Sequence, residues 1–272
     1  MSTDFSTINK AIVVASHPRS GTHLTIDLLR KQFDICAAKK RLGAPLDRLY
    51  LALEALTAPN QPLAEKTALE ILQKTSRPLI KTHADVNLSH LTSDFSNWQR
   101  WLQSKGDYIY VFRDGRDVIC SLHLFMQSYD PTTRCSLSEF IRQQVGKKSR
   151  IKIWAEHVNQ WLSQPNIYPL RFEDIIGNPS ETLDKLGHFL QIQPRYIQPI
   201  LPKPHKGLWQ GRIARLTQTQ PESSAILGYY GGQKAEKWNQ SFTIKDRHFF
   251  HQEAGDLLLK LGYEASDSWI TS

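Results

Sequence analysis

The sequence lacks a long hydrophobic run. Its longest uninterrupted apolar stretches are only a few residues, such as AIVVA at 11–15 and LLL at 257–259. A helix that spans a bilayer needs about 20 apolar residues. The opening residues, MSTDFSTINK, have neither a basic start nor an apolar stretch, so we expect no secretion signal. We therefore predict a chain without a transmembrane segment.

Cysteine is scarce and dispersed. The three cysteines, Cys36, Cys120 and Cys135, are odd in number and lack the spacing of metal ligands. Such usage favours reduced thiols in a cytoplasmic setting over a disulfide framework. We expect a cytoplasmic protein that holds no metal.

The charge is unbalanced towards basic residues. Lys and Arg number 34 against 26 Asp and Glu, which leaves a formal net charge of +8. This excess favours an anionic partner. The basic residues are scattered, and no helix-turn-helix or zinc-finger pattern is present, so we expect no nucleic-acid partner. A pocket that holds several phosphate charges would use the same excess.

Strand patterns alternate with helix patterns along the chain. Four segments read as strands: AIVVAS (11–16), RPLIKTH (77–83), YIYVFRD (108–114) and IYPLRFED (167–174). The helix patterns include THLTIDLLRKQF after the first strand, and 46–74 reads as helices interrupted around TAPNQP. Residues 194–234 read as a long irregular segment.

This alternation predicts an α/β fold with a central parallel β-sheet flanked by helices. Without a repeat or a linker, we expect a single domain over residues 1–272, with 1–10 as a flexible N-terminus. In such sheets ligands bind at the carboxyl ends of the strands. The functional residues should therefore follow the four strand segments.

The loop HPRSGTHL follows the first strand. Ser20, Gly21 and Thr22 place backbone N–H groups at a helix N-terminus, which favours an anion. Arg19 adds a charge suited to phosphate. The P-loop of ATP and GTP enzymes would have Gly in place of Ser16 and a Lys after Gly21. The alternative is a plain strand-to-helix turn.

Two further segments carry candidate residues. In KTH, just past the second strand, His83 is suited to taking a proton from a hydroxyl because an imidazole titrates near neutral pH. Asp85 is a candidate for orienting this imidazole or for meeting a cationic acceptor, but a solvated loop carboxylate is the preferred interpretation. In YVFRDGRDVICSL, Arg113 and Ser121 lie eight residues apart and are able to grip one phosphate. The alternative is an exposed ion-pair cluster formed by Arg113, Asp114, Arg116 and Asp117.

At these segments the sequence resembles the sulfotransferase family, which uses 3′-phosphoadenylyl sulfate (PAPS) as donor. HPRSGTHL is similar to its 5′-phosphosulfate loop, KTH to its catalytic-histidine segment and RDGRDVICSL to its 3′-phosphate element. RFEDI with a following NP is similar to a later element of the family, and AGDLLLKLGY near the end is similar to the C-terminal helix of bacterial members. The resemblance implies a P-loop-NTPase-like sulfotransferase fold and sulfuryl transfer to a hydroxyl or amine of a small molecule.

The resemblance also implies residue roles. His83 would be the general base, with Lys81 and Arg19 acting at the transferring group and the leaving phosphate. The product would be adenosine 3′,5′-bisphosphate (PAP), and no metal would be needed. The implied donor-binding residues are Arg19, Ser20, Gly21, Thr22 and His23 at the 5′-phosphate, Arg113 and Ser121 at the 3′-phosphate, Phe172 near the adenine, and Lys234.

Several positions depart from the family pattern. Arg19 replaces a lysine, His23 stands where Thr is common, and Phe172 lacks the hydroxyl of the usual Tyr. Lys234 competes with the segment HKG (205–207) as a second 3′-phosphate contact. A P-loop nucleotide kinase, which would need magnesium, and a non-catalytic nucleotide-binding protein are the alternative functions.

The acceptor is not identified by the sequence. We expect its pocket to be formed by residues 36–75, 123–150 and 195–232, which hold Tyr50, Phe125, Tyr129, Trp209 and Tyr229. A small hydroxylated metabolite or a lipid headgroup is the preferred acceptor class. The oligomeric state is not predicted.

Overall fold

Five parallel strands form the central sheet. The structure is a computed structural model that describes residues 4–38, 49–91, 93–201 and 238–271. The strands are β1 (Ala11–Ser16), β2 (Leu51–Ala52), β3 (Leu79–Thr82), β4 (Gly106–Phe112) and β7 (Ile167–Arg171). Their order is β2-β3-β1-β4-β7, and each neighbouring pair is parallel. A separate hairpin joins β5 (Gln144–Val145) to β6 (Lys148–Ser149).

The helices cover both faces of this sheet. They are α1 (Thr22–Gln32), α2 (Glu65–Leu72), α3 (Ser96–Lys105), α4 (Gly115–Met126), α5 (Leu137–Arg142), α6 (Arg150–Leu162), α7 (Phe172–Gly177), α8 (Pro179–Leu190), α9 (Trp238–Ser241) and α10 (Ile244–Lys260). Because successive strand residues point to opposite faces, Ile12 and Val14 pack against α1 and α8. Val13 packs against α2 and α3, while Ala15 faces α4, α6 and α10.

The expected fold class is confirmed: this is a single-domain α/β protein with a central parallel sheet. All six residues of β1 are buried, which explains its continuous apolar run, because a parallel strand is covered on both faces. The other predicted strands are present as β3, β4 and β7, although β7 ends at Arg171, where α7 follows directly.

The prediction of helices over 46–74, interrupted around TAPNQP, is wrong in part. The edge strand β2 lies inside this range and pairs through Leu51 and Ala52 with β3. Two residues are too few to show a strand period, so only the tertiary pairing identifies this strand. A short 3₁₀ segment, Leu53–Thr57, follows it, and the part of the range before residue 49 lies outside the described residues.

Two residues of the N-terminal segment pack against the rest of the protein. Phe5 stacks on Trp101 with ring centroids 4.6 Å apart, and Ile8 is buried. The flexibility expected for residues 1–10 remains a prediction.

All three cysteines are free thiols. In the part of the chain that the structure describes, no helix has both the length and the apolar character needed to cross a membrane.

A buried arginine ties the start of α4 to the C-terminal region. Arg116 is only 2% exposed and binds the carboxylate of Asp114 at 2.6 Å and that of Glu264. Its guanidinium lies 3.8 Å from the ring centroid of Trp238 and 4.7 Å from that of Trp269. This cation is part of the scaffold.

We predict that Arg116→Met destabilises the fold by about 3–5 kcal/mol, because it leaves two carboxylates without their buried partner. Arg100→Met, on the exposed surface of α3, should change the free energy of unfolding by no more than about 0.5 kcal/mol. Urea unfolding of both variants measures the difference. Equal stabilities would contradict a scaffold role for Arg116.

Candidate functional site

A cavity of about 700 Å³ opens at the carboxyl edge of the sheet. It is bordered by the segments that follow β1, β3, β4 and β7, which is the edge expected for ligands of a parallel sheet. Ser20 is buried beside it, and Lys234 lies outside the described residues. The predicted site residues that line it are Arg19, Gly21, Thr22, His23, Lys81, His83, Arg113, Ser121 and Phe172.

The loop between β1 and α1 presents unpaired donors to this cavity. The first amide of α1 bonded within the helix is that of Thr25, which donates to the carbonyl of Gly21 at 3.0 Å. The three preceding amides have no acceptor inside the helix. The hydroxyl of Ser20 is buried and has no hydrogen-bond partner among the described residues. Together with the helix dipole, these groups are suited to binding an anion, and we call them the cradle.

Gly21 has a conformation and a neighbour that exclude side chains. Its φ of 109° lies in the left-handed region, and a Cβ there would lie 2.5 Å from Cδ2 of Phe172. The guanidinium of Arg113 sits 4.6 Å from the centroid of the same ring. Phe172 therefore packs between the loop and Arg113.

Arg113 and Arg116 have separate environments, although they are three residues apart. Arg116 is buried with Asp114, as described above. Arg113 has a single distant ion pair, 3.5 Å from Asp117, and its Nε is buried without a partner among the described residues. The alternative of one exposed four-residue ion-pair cluster is therefore wrong. Arg113 keeps donors available at the cavity.

The side chain of Arg19 reaches across the cavity. Its Nε donates to the hydroxyl of Ser121 at 3.1 Å, and its guanidinium lies 4.7 Å from the ring centroid of Phe125. Its backbone has a φ of 72°, which is unusual for a residue with a side chain. Arg19 thus connects the loop to α4 at Ser121, which is the predicted contact of the 3′-phosphate.

His83 is held in one tautomer. Its Nδ1 donates to the backbone carbonyl of Ser16 at 2.8 Å, so the lone pair resides on Nε2. No described residue forms a hydrogen bond with Nε2, and His83 lines the cavity. Burial lowers the pKa of His83 to about 3, and the charge of Lys81 adds to this effect. The imidazole is therefore neutral near pH 7 and is able to accept a proton.

Glu54 holds the backbone of His83 in place, and the sequence did not predict this residue. Its carboxylate accepts hydrogen bonds from the hydroxyl of Thr82 at 2.8 Å and from the backbone N–H of His83. Asp85 instead accepts from Asn87 and Ser89, consistent with a loop carboxylate. Glu54 follows the unpredicted strand β2, so no sequence signal placed it beside KTH.

The charge on Lys81 is moderated by its surroundings. Burial lowers the pKa of Lys81, and the nearby carboxylate of Glu54 partly opposes that shift. His23 is neutral, because burial lowers its pKa to about 3, with further lowering by Lys81 and Arg19. The cations at the cavity thus face neutral imidazoles.

Two more histidines complete the surroundings of His83. The Nε2–H of His157 donates to the backbone carbonyls of His83 at 3.2 Å and Ala84 at 3.1 Å, while Tyr110 donates to its Nδ1 at 2.8 Å. His17 lines the cavity, and burial lowers its pKa to about 3. His17 is the first residue of the loop HPRSGTHL but was not a predicted site residue, and His157 belongs to none of the predicted motifs.

The aromatic residues expected in an acceptor pocket separate into three groups. Phe125 and Tyr129 line the cavity. Tyr50 is buried, and its hydroxyl lies 3.3 Å from Nδ1 of His23. Trp209 and Tyr229 lie outside the described residues. Within the described ranges, no group of three or more His, Cys, Asp and Glu side chains is arranged to hold a metal ion.

Comparison with known proteins identifies similar chains. The mouse sulfotransferase SULT7A1 complexed with PAP has a TM-score of 0.55 and 17% identity, with 92% of this chain and 84% of that chain covered. Retinol dehydratase in complex with androsterone and the inactive cofactor PAP has a TM-score of 0.50 and 19% identity, with coverages of 92% and 80%. At these identities the similarity establishes the fold alone.

The sequence itself identifies the family. No curated protein sequence matches the chain. A family model described as a sulfotransferase domain, however, matches residues 9–260, and this match does not favour a nucleotide kinase. Because the match spans most of the 272 residues, the chain belongs to the sulfotransferase domain family.

Proposed function

We propose that this protein transfers the sulfuryl group of PAPS to a hydroxyl or amine of a small molecule and leaves PAP. The observation that carries the proposal is His83: a neutral imidazole, with its lone pair on Nε2, lines the same cavity as an anion-binding cradle. The two solved structures compared above are complexes with PAP, which supports this nucleotide as the donor product.

The donor phosphates have two candidate sites. The cradle at the start of α1 suits the 5′-phosphosulfate, because Ser20 has a buried hydroxyl without a partner among the described residues. Arg113 and Ser121 suit the 3′-phosphate. The Nε of Arg113 is buried and has no hydrogen-bond partner among the described residues. Arg19 contacts Ser121 and adds charge between the two. Phe172 packs near the adenine, and Lys234 is the further proposed contact.

His83 activates the acceptor in this scheme. Nε2 takes the proton of the acceptor hydroxyl, whose oxygen forms the new bond to sulfur as the bond from sulfur to the 5′-phosphate oxygen breaks. Lys81 and Arg19 offset the negative charge on the transferring and leaving oxygens. Such a transfer depends on positioned charges and hydrogen-bond donors rather than on a covalent intermediate. PAPS supplies the activated sulfuryl group when bound.

The proposal also includes a cellular location, an acceptor class and a single catalytic domain. The three free thiols support a cytoplasmic location. The concave cavity supports a small-molecule acceptor over a nucleic acid. The catalytic unit is the single domain over residues 1–272, acting without a metal. A non-catalytic nucleotide-binding protein is the alternative, and it predicts PAP binding without turnover.

The decisive experiment follows labelled sulfate from PAPS into a panel of phenols, alcohols and amines. We expect transfer by the unmodified protein and a fall of roughly 10²- to 10⁴-fold in turnover for His83→Gln, because the general base is lost. PAP binding should be retained. His188→Gln, on the exposed side of α8, is the control. Unchanged turnover in His83→Gln would remove this residue from the mechanism.

Donor binding is tested at Arg113. We expect Arg113→Met to raise the Kd for PAP by roughly 10- to 100-fold, because a charge-assisted hydrogen bond contributes about 1.5–3 kcal/mol. Calorimetric titration with PAP measures the effect, and Arg100→Met is the control. Thermal stabilisation should be larger with PAP than with ATP. Stabilisation by ATP alone would overturn the donor assignment.

The neutral state of His83 has a consequence for stability. Its folded pKa of about 3 lies below the unfolded value of about 6.5, so unfolding takes up a proton between these values. We expect the free energy of unfolding to fall as the pH drops from about 6.5 towards 3. His83→Gln should reduce this slope by up to about 1.4 kcal/mol per pH unit.

Urea unfolding at pH 7.5, 6.0 and 5.0 measures these slopes. His188→Gln serves again as the control, because its imidazole is exposed. If His83→Gln keeps the slope of the unmodified protein, His83 is not held in the neutral form by the fold.

A further inference from the structure

Part of the cavity wall is apolar, and we call this part the apolar arm. It is lined by Leu122, Phe125, Met126, Tyr129, Val145 and Ile153, which come from α4 and its end, the β5–β6 hairpin and α6. Tyr129 is 58% exposed and Val145 is 48% exposed. Large exposed apolar side chains beside a cavity mark a place where an apolar molecule binds.

Arg19 contacts Phe125 of this apolar arm, with its guanidinium 4.7 Å from the ring centroid, and the second cation that lines the arm is Arg150. Its guanidinium lies 4.3 Å from the ring centroid of Phe140, and its Nη atoms lie 3.5 Å from Sδ of Met126 and Oε1 of Gln143. The thioether of Met126 is a weak acceptor, and 3.5 Å is long for a hydrogen bond to the amide oxygen of Gln143. The Nε of Arg150 is buried and has no hydrogen-bond partner within the described ranges. No carboxylate among the described residues is within ion-pair distance of Arg150.

The surroundings of Arg150 leave its charge partly uncompensated. Asp130 is the carboxylate that acts on it electrostatically, but Asp130 already accepts hydrogen bonds from the amide and hydroxyl of Thr132. Arg150 is also the first residue of α6, where the positive end of the helix dipole adds to its charge. An anion entering the arm would meet both charges.

The helix α6 relates Arg150 to the proposed catalytic base. Ile153 follows Arg150 by three residues and His157 follows it by seven, so the three residues share one face of the helix. His157 binds the backbone carbonyl of His83 at 3.2 Å, and Ile153 lines the arm. Seven residues of α-helix rise about 10 Å. Arg150 therefore lies about this distance along the helix from the region of His83.

We propose that Arg150 binds a carboxylate of the acceptor, and that the acceptor is an amphipathic hydroxy acid whose hydrocarbon part occupies the apolar arm. Its hydroxyl then lies at His83, about two helical turns from the carboxylate. The planar guanidinium is suited to a carboxylate because it donates two parallel hydrogen bonds. This inference rests on the proposed function and names the substrate class of the same site.

The test compares 10-hydroxydecanoate with 1,10-decanediol, which differ in the carboxylate. Calorimetric titration of each into the PAP-bound protein should show binding of the hydroxy acid at least 10-fold tighter. Arg150→Met should abolish this difference without changing the Kd for PAP. Arg150→Lys, which keeps the charge but not the planar fork, should retain part of it. Lys147→Met removes an exposed charge from the nearby hairpin and should leave the preference unchanged.

Three results would overturn the proposal: equal binding of the two probes, binding of neither, or a preference that survives Arg150→Met. Turnover is measured separately with labelled PAPS and the same two probes. A binding preference that depends on Arg150, found without any sulfate transfer, would contradict the proposed reaction and leave the carboxylate site standing. The two proposals therefore fail in distinguishable ways.

Discussion

The hydrogen bond from His83 to the backbone carbonyl of Ser16 is the interaction on which the site depends. It joins the ends of two neighbouring parallel strands, β1 and β3, at 2.8 Å. The bond determines which imidazole nitrogen carries the proton, and it leaves Nε2 for the cavity. Glu54 holds the backbone of the same residue from the edge of the sheet. The orientation of the His83 imidazole is therefore a property of the whole sheet edge.

The same edge concentrates positive charge without pairing all of it. Arg116 is satisfied by two carboxylates and packs as part of the core, whereas Arg113 and Arg150 keep a buried Nε without a partner among the described residues. Unpaired buried donors cost free energy in the folded protein. An anionic ligand offsets this cost, which is why such groups mark binding sites. In the proposed reaction, Arg113 serves the donor and Arg150 the acceptor.

Much of the fold was readable from local patterns. β1 is covered on both faces, so it shows a continuous apolar run, and the polar loop HPRSGTHL must follow it at the sheet edge. The same reasoning located β3, β4 and β7, although the predicted segments end one to three residues beyond these strands. β2 escaped detection because a strand of two residues has no period. The β5–β6 hairpin is equally short and was also missed.

The sequence by itself determined four of the five strands of the sheet and the kinds of residue at their carboxyl ends, and hence much of the chemistry available to the cavity. Only the tertiary structure decided the partners. Arg19 meets Ser121 across 102 residues of chain, and Thr82 meets Glu54 across 28. It also brought Arg150 to the apolar arm. Contacts between residues so far apart leave no local signal, because they arise when the sheet and its helices pack together.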